Sequence, residues 1–315
     1  MADRGDTMSV DLRAAAGDHL RDRRARGYVL ADGDRLINNF LDGLDARGQG
    51  RITVADAVAF ATEHPHTTRG WQARKLRAIR DLAAHVHGCD PDAAQLIPAG
   101  LIACKMPRRI PYLYSGEQIA ELMRRALALS PAMLGASMHT LIGLLAATGM
   151  RGGEAAALDI ENLDPERQVL VVTGKNKRVR LVPLHRTTVQ ALADYQQLRA
   201  ARATATGPLL IGPKGGRLNM NTARAAFRTL VNDCRLPVRP GCRAPRLHDC
   251  RHTFAVNTLI DAHRQGADID ARIATLANYL GHLDPTHTYW YLTASPQLMQ
   301  TVRERITAYQ KERGL

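Results

Sequence analysis

The sequence predicts a mainly α-helical protein in two parts, the second carrying a small antiparallel β-sheet. Three observations predict it. Apolar residues recur at helical spacing through most of the 315-residue chain. Two short β-branched runs flank one Gly/Lys-rich turn, and a proline-bracketed basic stretch interrupts the helical pattern near residue 110. The length suits two domains of ordinary size, each able to bury a core. Aromatic residues are only 4% of the chain, so aliphatic and alanine-rich helix packing must build the interior.

In the first part, Ile37, Phe40, Leu41 and Leu44 predict a helix ended by the breaker Arg47-Gly-Gln-Gly50. Thr53 is placed to cap a helix over Val54–Thr62, which His64-Pro65-His66 ends. Trp71–Val86 predicts another, with Arg74, Lys75, Arg77 and Arg80 on a basic side and Leu76, Ile79, Leu82 and Ala83 on an apolar one. Lys105-Met-Pro107-Arg108-Arg109-Ile-Pro111 suits no helix interior and reads as an extended basic linker. The expected division is residues 1–105, a linker over 106–114, and residues 115–315.

The second part begins with a capping box, Ser115-Gly-Glu-Gln118, ahead of a helix carrying Ile119, Leu122, Met123 and Ala126. Gln168–Thr173 and Val179–Leu184 read as a hairpin, with Lys175 and Lys177 at or beside its turn. Helices are expected over Met138–Ala147, Thr187–Ala201, Thr222–Asn232, Arg251–Ala262, Ala271–Tyr279 and Pro296–Gln310, and a short strand over Gly207–Pro213.

Lys+Arg outnumber Asp+Glu by 43 to 30, a formal charge of +13 with a pI near 10.0. Such a surplus favours a polyanionic partner, because phosphates neutralised by cations release condensed counterions. A basic solvated surface is the plainer alternative. The five cysteines are dispersed, without a CxxC pair or a zinc-type spacing, which predicts reduced thiols and no structural metal. No signal pattern or membrane-length apolar run occurs, so a cytoplasmic protein is expected.

Four clusters carry the chemistry: Thr148-Gly149-Met150-Arg151-Gly-Gly-Glu154; Gly174-Lys175-Asn176-Lys177; His248-Asp249-Cys250-Arg251-His252; and Leu280-Gly281-His282 followed nine residues later by Tyr291. Arg151 follows the break after an apolar helix, where paired donors can hold a phosphate oxygen. Glu154, one turn on, can orient its guanidinium; alone, such a pair is an ordinary surface contact. His248 and Arg251 share a helix face at i, i+3, while His252 is expected about a quarter turn away. A turn lysine can reach a leaving oxygen as general acid, and both Lys175 and Lys177 qualify. A phenol can attack a phosphodiester, and both Tyr291 and Tyr289 are available.

This order and spacing resemble the tyrosine recombinases, the family of phage integrases, transposon recombinases and chromosome-dimer resolvases, over roughly residues 112 to 292. The resemblance implies a helical N-terminal domain and a catalytic domain that clamp duplex DNA. It implies that Arg151 and Arg251 grip the scissile phosphate, that His248 and His282 assist, and that Lys175 rather than Lys177 protonates the 5′ oxygen. It favours Tyr291 over Tyr289 as the nucleophile and assigns Glu154 a supporting role. Neither metal nor cofactor is implied. The Gly152-Gly153 pair departs from the family, which often has a larger residue after the arginine. The segment from Tyr289 onward resembles recombinases of mobile elements. The implied partners are a specific double-stranded DNA site, further copies of the chain in a tetramer, and possible sister recombinases. Arg74, Lys75, Arg77, Arg80, Arg108, Arg109 and Lys177 are the expected DNA contacts. Rival readings are a type IB topoisomerase and a catalytically silent DNA-binding regulator of the same fold.

Overall fold

The computed structural model describes residues 10–28, 30, 32–104, 110–174, 178–238 and 244–281. The chain forms two compact units, Met1–Arg108 and Arg109–Leu315.

The first unit contains α1 (Leu12–Ala25), α2 (Gly33–Asp45), α3 (Val54–Thr62) and α4 (Arg69–Cys89). Side chains begin three of them. Asp11 accepts from the Arg13 amide at 2.9 Å, Thr53 from Asp56 at 3.1 Å, and Thr68 from Trp71 at 3.3 Å. Helix α3 has the limits its cap predicts. Ile37, Phe40, Leu41 and Leu44 of α2 meet Leu76, Ile79, Leu82 and Val86 of α4 in one core.

One expectation fails on α4. Lys75 is buried, with its ammonium 4.0 Å from the Phe60 ring centroid and 3.6 Å from the Glu63 carboxylate. Position 75 lies four residues before Ile79 and therefore shares the inward stripe. Its long aliphatic stem lets a lysine occupy such a place. Arg74 and Arg77 are exposed and Arg80 is half-buried, so the basic side of α4 is theirs without Lys75.

In the second unit, α5 (Gly116–Ala126) begins with the predicted capping box, in which Gln118 donates to Ser115 Oγ at 3.2 Å and Ser115 donates back at 3.0 Å. Tyr112 and Tyr114, expected in the linker, are buried in this unit. The Tyr114 amide donates to Thr253 Oγ1 at 3.0 Å, and its hydroxyl donates to the Arg246 carbonyl at 2.9 Å. Helix α6 (Ala132–Thr148) starts a turn and a half earlier than expected and runs through the core with Met138, Leu141, Ile142 and Leu145. Gly135 permits this, since a Cβ there would lie 2.7 Å from the Ala126 carbonyl oxygen.

After α7 (Gly152–Ala157) come strands β1 (Leu163–Asp164), β2 (Val169–Thr173) and β3 (Val179–Pro183) in an antiparallel sheet of order β1-β2-β3. The register pairs Leu170 with Val182 and Val172 with Arg180. Leu170, Val172 and Val182 are buried, whereas Val179 and Leu181 point outward. Helices α8 (Arg186–Ala200), α9 (Met220–Asp233), α10 (Asp249–Arg264) and α11 (Ile269–Leu280) complete the described part. The strand expected over 207–213 is instead two isolated bridges, Asp159 to Pro208 and Ile211 to Arg217. Buried Arg199 takes up carbonyls of this loop, donating to Pro208 at 2.9 Å and Thr206 at 3.0 Å, which removes the need for a strand partner. The helix expected over 296–310 lies outside the described residues. No described helix is long and apolar enough to cross a membrane.

Candidate active site

Helix α6 stops at Gly149, whose φ of +61° is the left-handed turn that glycine adopts at little cost. Space demands glycine as well, because a Cβ would lie 2.4 Å from a Phe254 ring carbon. The chain then turns into α7 with Arg151 at its N-cap. The Arg151 amide donates to Glu154 Oε2 at 2.9 Å and its Nη1 to Oε1 at 2.8 Å, so Glu154 holds both ends of the residue. Arg151 Nη2 reaches the Gly281 carbonyl at 3.4 Å.

Arg251 comes to the same place from α10. It is 2% exposed, with Nη1 donating to the Gly149 carbonyl at 3.0 Å and Nη2 to the Leu280 carbonyl at 2.7 Å. Helix α11 ends on Gly281 at φ +68°, as the Leu280-Gly281 stop predicts. The two arginines therefore bind consecutive carbonyls, 280 and 281, immediately before His282.

His248 is the N-cap of α10 and keeps an open edge toward a cavity of about 780 Å3 lined also by Arg151, Thr173, Gly174, Arg224 and Arg228. Crowding by protein, then the positive charges of Arg251, Arg246 and Arg151, push its pKa down to about 4 and leave it neutral near pH 7. Arg246, another lining residue, is held by the buried Asp249 carboxylate through its amide at 2.9 Å and Nη2 at 2.7 Å. His252 does not stand apart as its offset from Arg251 suggests. It follows His248 by four residues, one helical turn, and the two ring centroids are 4.9 Å apart, edge to face.

Burial opposes ionisation of Glu154. Hydrogen bonds from Arg180 and the Arg151 amide, with the Arg180 charge, outweigh it and hold the carboxyl at about 2. Motif spacing does not single out Arg180. Its signal lies in strand parity: Arg180 shares the inward phase of β3 with Val182, and a cation there needs a buried partner.

Of the predicted site residues, the fold brings together Arg151, Glu154, His248 and Arg251. Lys175, Lys177, His282, Tyr291, Arg108 and Arg109 lie outside the described residues.

Residues 114–297 match the phage integrase family. The integrase/recombinase y4rB of Sinorhizobium fredii is 33% identical over 304 residues, covering 94% of this chain and 96% of that protein. Tyrosine recombinase XerD of Rhizobium meliloti is 30% identical over 285 residues, covering 86% of each. Among solved structures, the Tn1549 transposon integrase in complex with transposon right-end DNA covers 93% of this chain and 99% of that one, with a TM-score of 0.62 at 17% identity. A lambda integrase dimer bound to a COC′ core site covers 88% and 97%, with a TM-score of 0.57 at 16% identity. The mainly helical fold with its small sheet is thus that of these recombinases, and on the family match and the sequence relatives together the chain belongs to the phage integrase family.

Proposed function

We infer that the chain is a tyrosine-type site-specific DNA recombinase, which cleaves and rejoins DNA through a 3′-phosphotyrosyl intermediate. The observation that carries the reading is the convergence of Arg151 and Arg251 beside His248, on the two carbonyls that precede His282. Fixed guanidinium donors suit the charge that develops on a phosphodiester under attack, and their rigidity spares reorganisation during reaction. In this reading the Tyr291 oxygen bonds to phosphorus and the bond to the 5′ oxygen breaks. The phenol proton passes to neutral His248 or a nearby base, and Lys175 protonates the departing 5′ oxygen. His282 assists phosphate binding. The phosphotyrosyl bond conserves the energy for rejoining, so no nucleotide is consumed.

The N-terminal unit, with Arg74, Arg77 and Arg80 on α4, would contribute phosphate contacts to DNA binding, and Arg108 and Arg109 would add to them. Four copies on a specific duplex site, in the cytoplasm, complete the proposal. The names of the relatives, an integrase and a transposon integrase among them, favour a mobile element as the cargo.

The test uses nicked suicide duplexes spanning the DNA that flanks the gene. Covalent trapping of the wild-type chain, lost in Tyr291→Phe with DNA affinity retained, is the expected result. Trapping that persists in Tyr291→Phe and disappears in Tyr289→Phe would move the nucleophile to Tyr289. A wild-type chain that binds these duplexes and never becomes attached would make it a silent regulator.

A further inference from the structure

We propose that Arg180 is a positioning residue for strand cleavage, acting through Glu154 to fix Arg151 and packing against the two glycines that lead into Lys175 and His282. The inference rests on the reading above and adds a residue to it. Arg180 reaches Glu154 with both guanidinium ends, Nη2 to Oε2 at 2.7 Å and Nη1 to Oε1 at 3.2 Å. Each carboxylate oxygen also accepts one bond from Arg151, so a single buried carboxylate joins β3 to the start of α7. Neither arginine can shift without the carboxylate that holds the other.

The glycines extend this joint. A Cβ on Gly174 would lie 3.3 Å from Arg180 Nη1 and 3.3 Å from Glu154 Oε1. A Cβ on Gly281 would lie 3.3 Å from Arg180 Nη1 and 3.6 Å from its Cζ. The guanidinium therefore lies against the backbone one residue before Lys175 and one residue before His282. Its Nε is buried with no hydrogen-bond partner among the described residues. That orphaned donor costs stability, and the side chain keeps its place because the Glu154 contact fixes it there.

The groups that interact with Glu154 are Arg151 at the α7 N-cap, Arg180 from β3 and His248 at the α10 N-cap. Without Arg180, the burial of Glu154 loses its strongest opponent and the carboxyl titrates at higher pH. Protonated Glu154 could no longer accept from every donor it now holds, and Arg151 would loosen.

Single-turnover cleavage of the suicide duplex is measured across pH for wild type, Arg180→Met, Arg180→Lys, Glu154→Gln and the Arg180→Met/Glu154→Gln pair. Arg180→Met should slow cleavage about 10²-fold, the scale of a small misplacement of a reacting group, with DNA affinity unchanged. Its Glu154 limb should also move to higher pH than in wild type, while the His248 limb that both proteins share stays in place. Arg180→Lys, which keeps the charge but not the bidentate grip, should fall between, and it carries the test if the methionine variant does not fold. In the Glu154→Gln background the second substitution should add little. An unmoved pH profile with additive losses would reduce Arg180 to a structural cation. Should the wild-type chain fail to cleave, the proposed function falls separately. A carboxyl-carbon NMR titration of Glu154 in wild type and Arg180→Met then still tests whether Arg180 holds the carboxylate, and an unchanged titration would overturn the inference.

Discussion

The arginines of α4 and those around the cavity are the same residue type in opposite settings. On α4, Arg77 is exposed and Arg74 meets Asp32 at 2.9 Å across a solvated surface. In the second unit, Arg251 is buried against two helix-end carbonyls, and Arg151 and Arg180 share one buried carboxylate. Surface cations attract a polyanion over a Debye length and tolerate many geometries, but water and salt screen them. Buried cations tied to backbone are held in place before any phosphate arrives, which suits stabilising a transition state. In the proposed function, affinity would belong to the first region and rate to the second.

The largest effect should come from breaking the second region. Arg251→Ala removes the proposed phosphate donor and leaves the Gly149 and Leu280 carbonyls without its guanidinium. Cleavage should fall at least about 10²-fold, and each orphaned carbonyl should cost about 1–3 kcal/mol of stability. Single-turnover kinetics and chemical denaturation measure both. Full activity in a folded Arg251→Ala chain would erase the contrast between the regions.

A smaller effect sharpens it through pH. Folding holds the His248 pKa at about 4, below its ordinary value. The unfolded state thus binds more protons between those two values. The contribution of neutral His248 is fully present above the ordinary histidine value and is lost as pH falls toward 4. Thermal melting of His248→Gln should therefore depend less on pH across that window than melting of wild type. Equal pH dependence of the two would mean that neither burial nor the charges of Arg251, Arg246 and Arg151 hold the His248 pKa down.

The smallest effect should come from the first region. Arg77→Ala with Arg80→Ala should weaken binding to specific and random duplexes alike. It should also flatten the salt dependence, the slope falling by about one for every phosphate that is no longer neutralised. The cleavage rate of bound DNA should not change. A loss of rate at saturating protein would give the α4 arginines a part in the chemistry as well as in binding.

Much of this protein is legible in its sequence because the signals are local. A threonine cap sets where α3 starts, a capping box starts α5, and two glycines end α6 and α11 by taking left-handed turns. Those features need only neighbouring residues, and so does the i, i+3 pairing of Arg151 with Glu154. The sequence by itself thus determined the helical class, the hairpin and the family. Only the tertiary structure decided that Lys75 turns inward, that Tyr112 and Tyr114 belong to the second unit's core, and that Arg180, 26 residues from Glu154, completes its carboxylate. Each of these depends on which surfaces meet after the chain has folded. A buried charge goes where a distant partner can satisfy it, and that partner is named by the fold rather than by spacing along the chain.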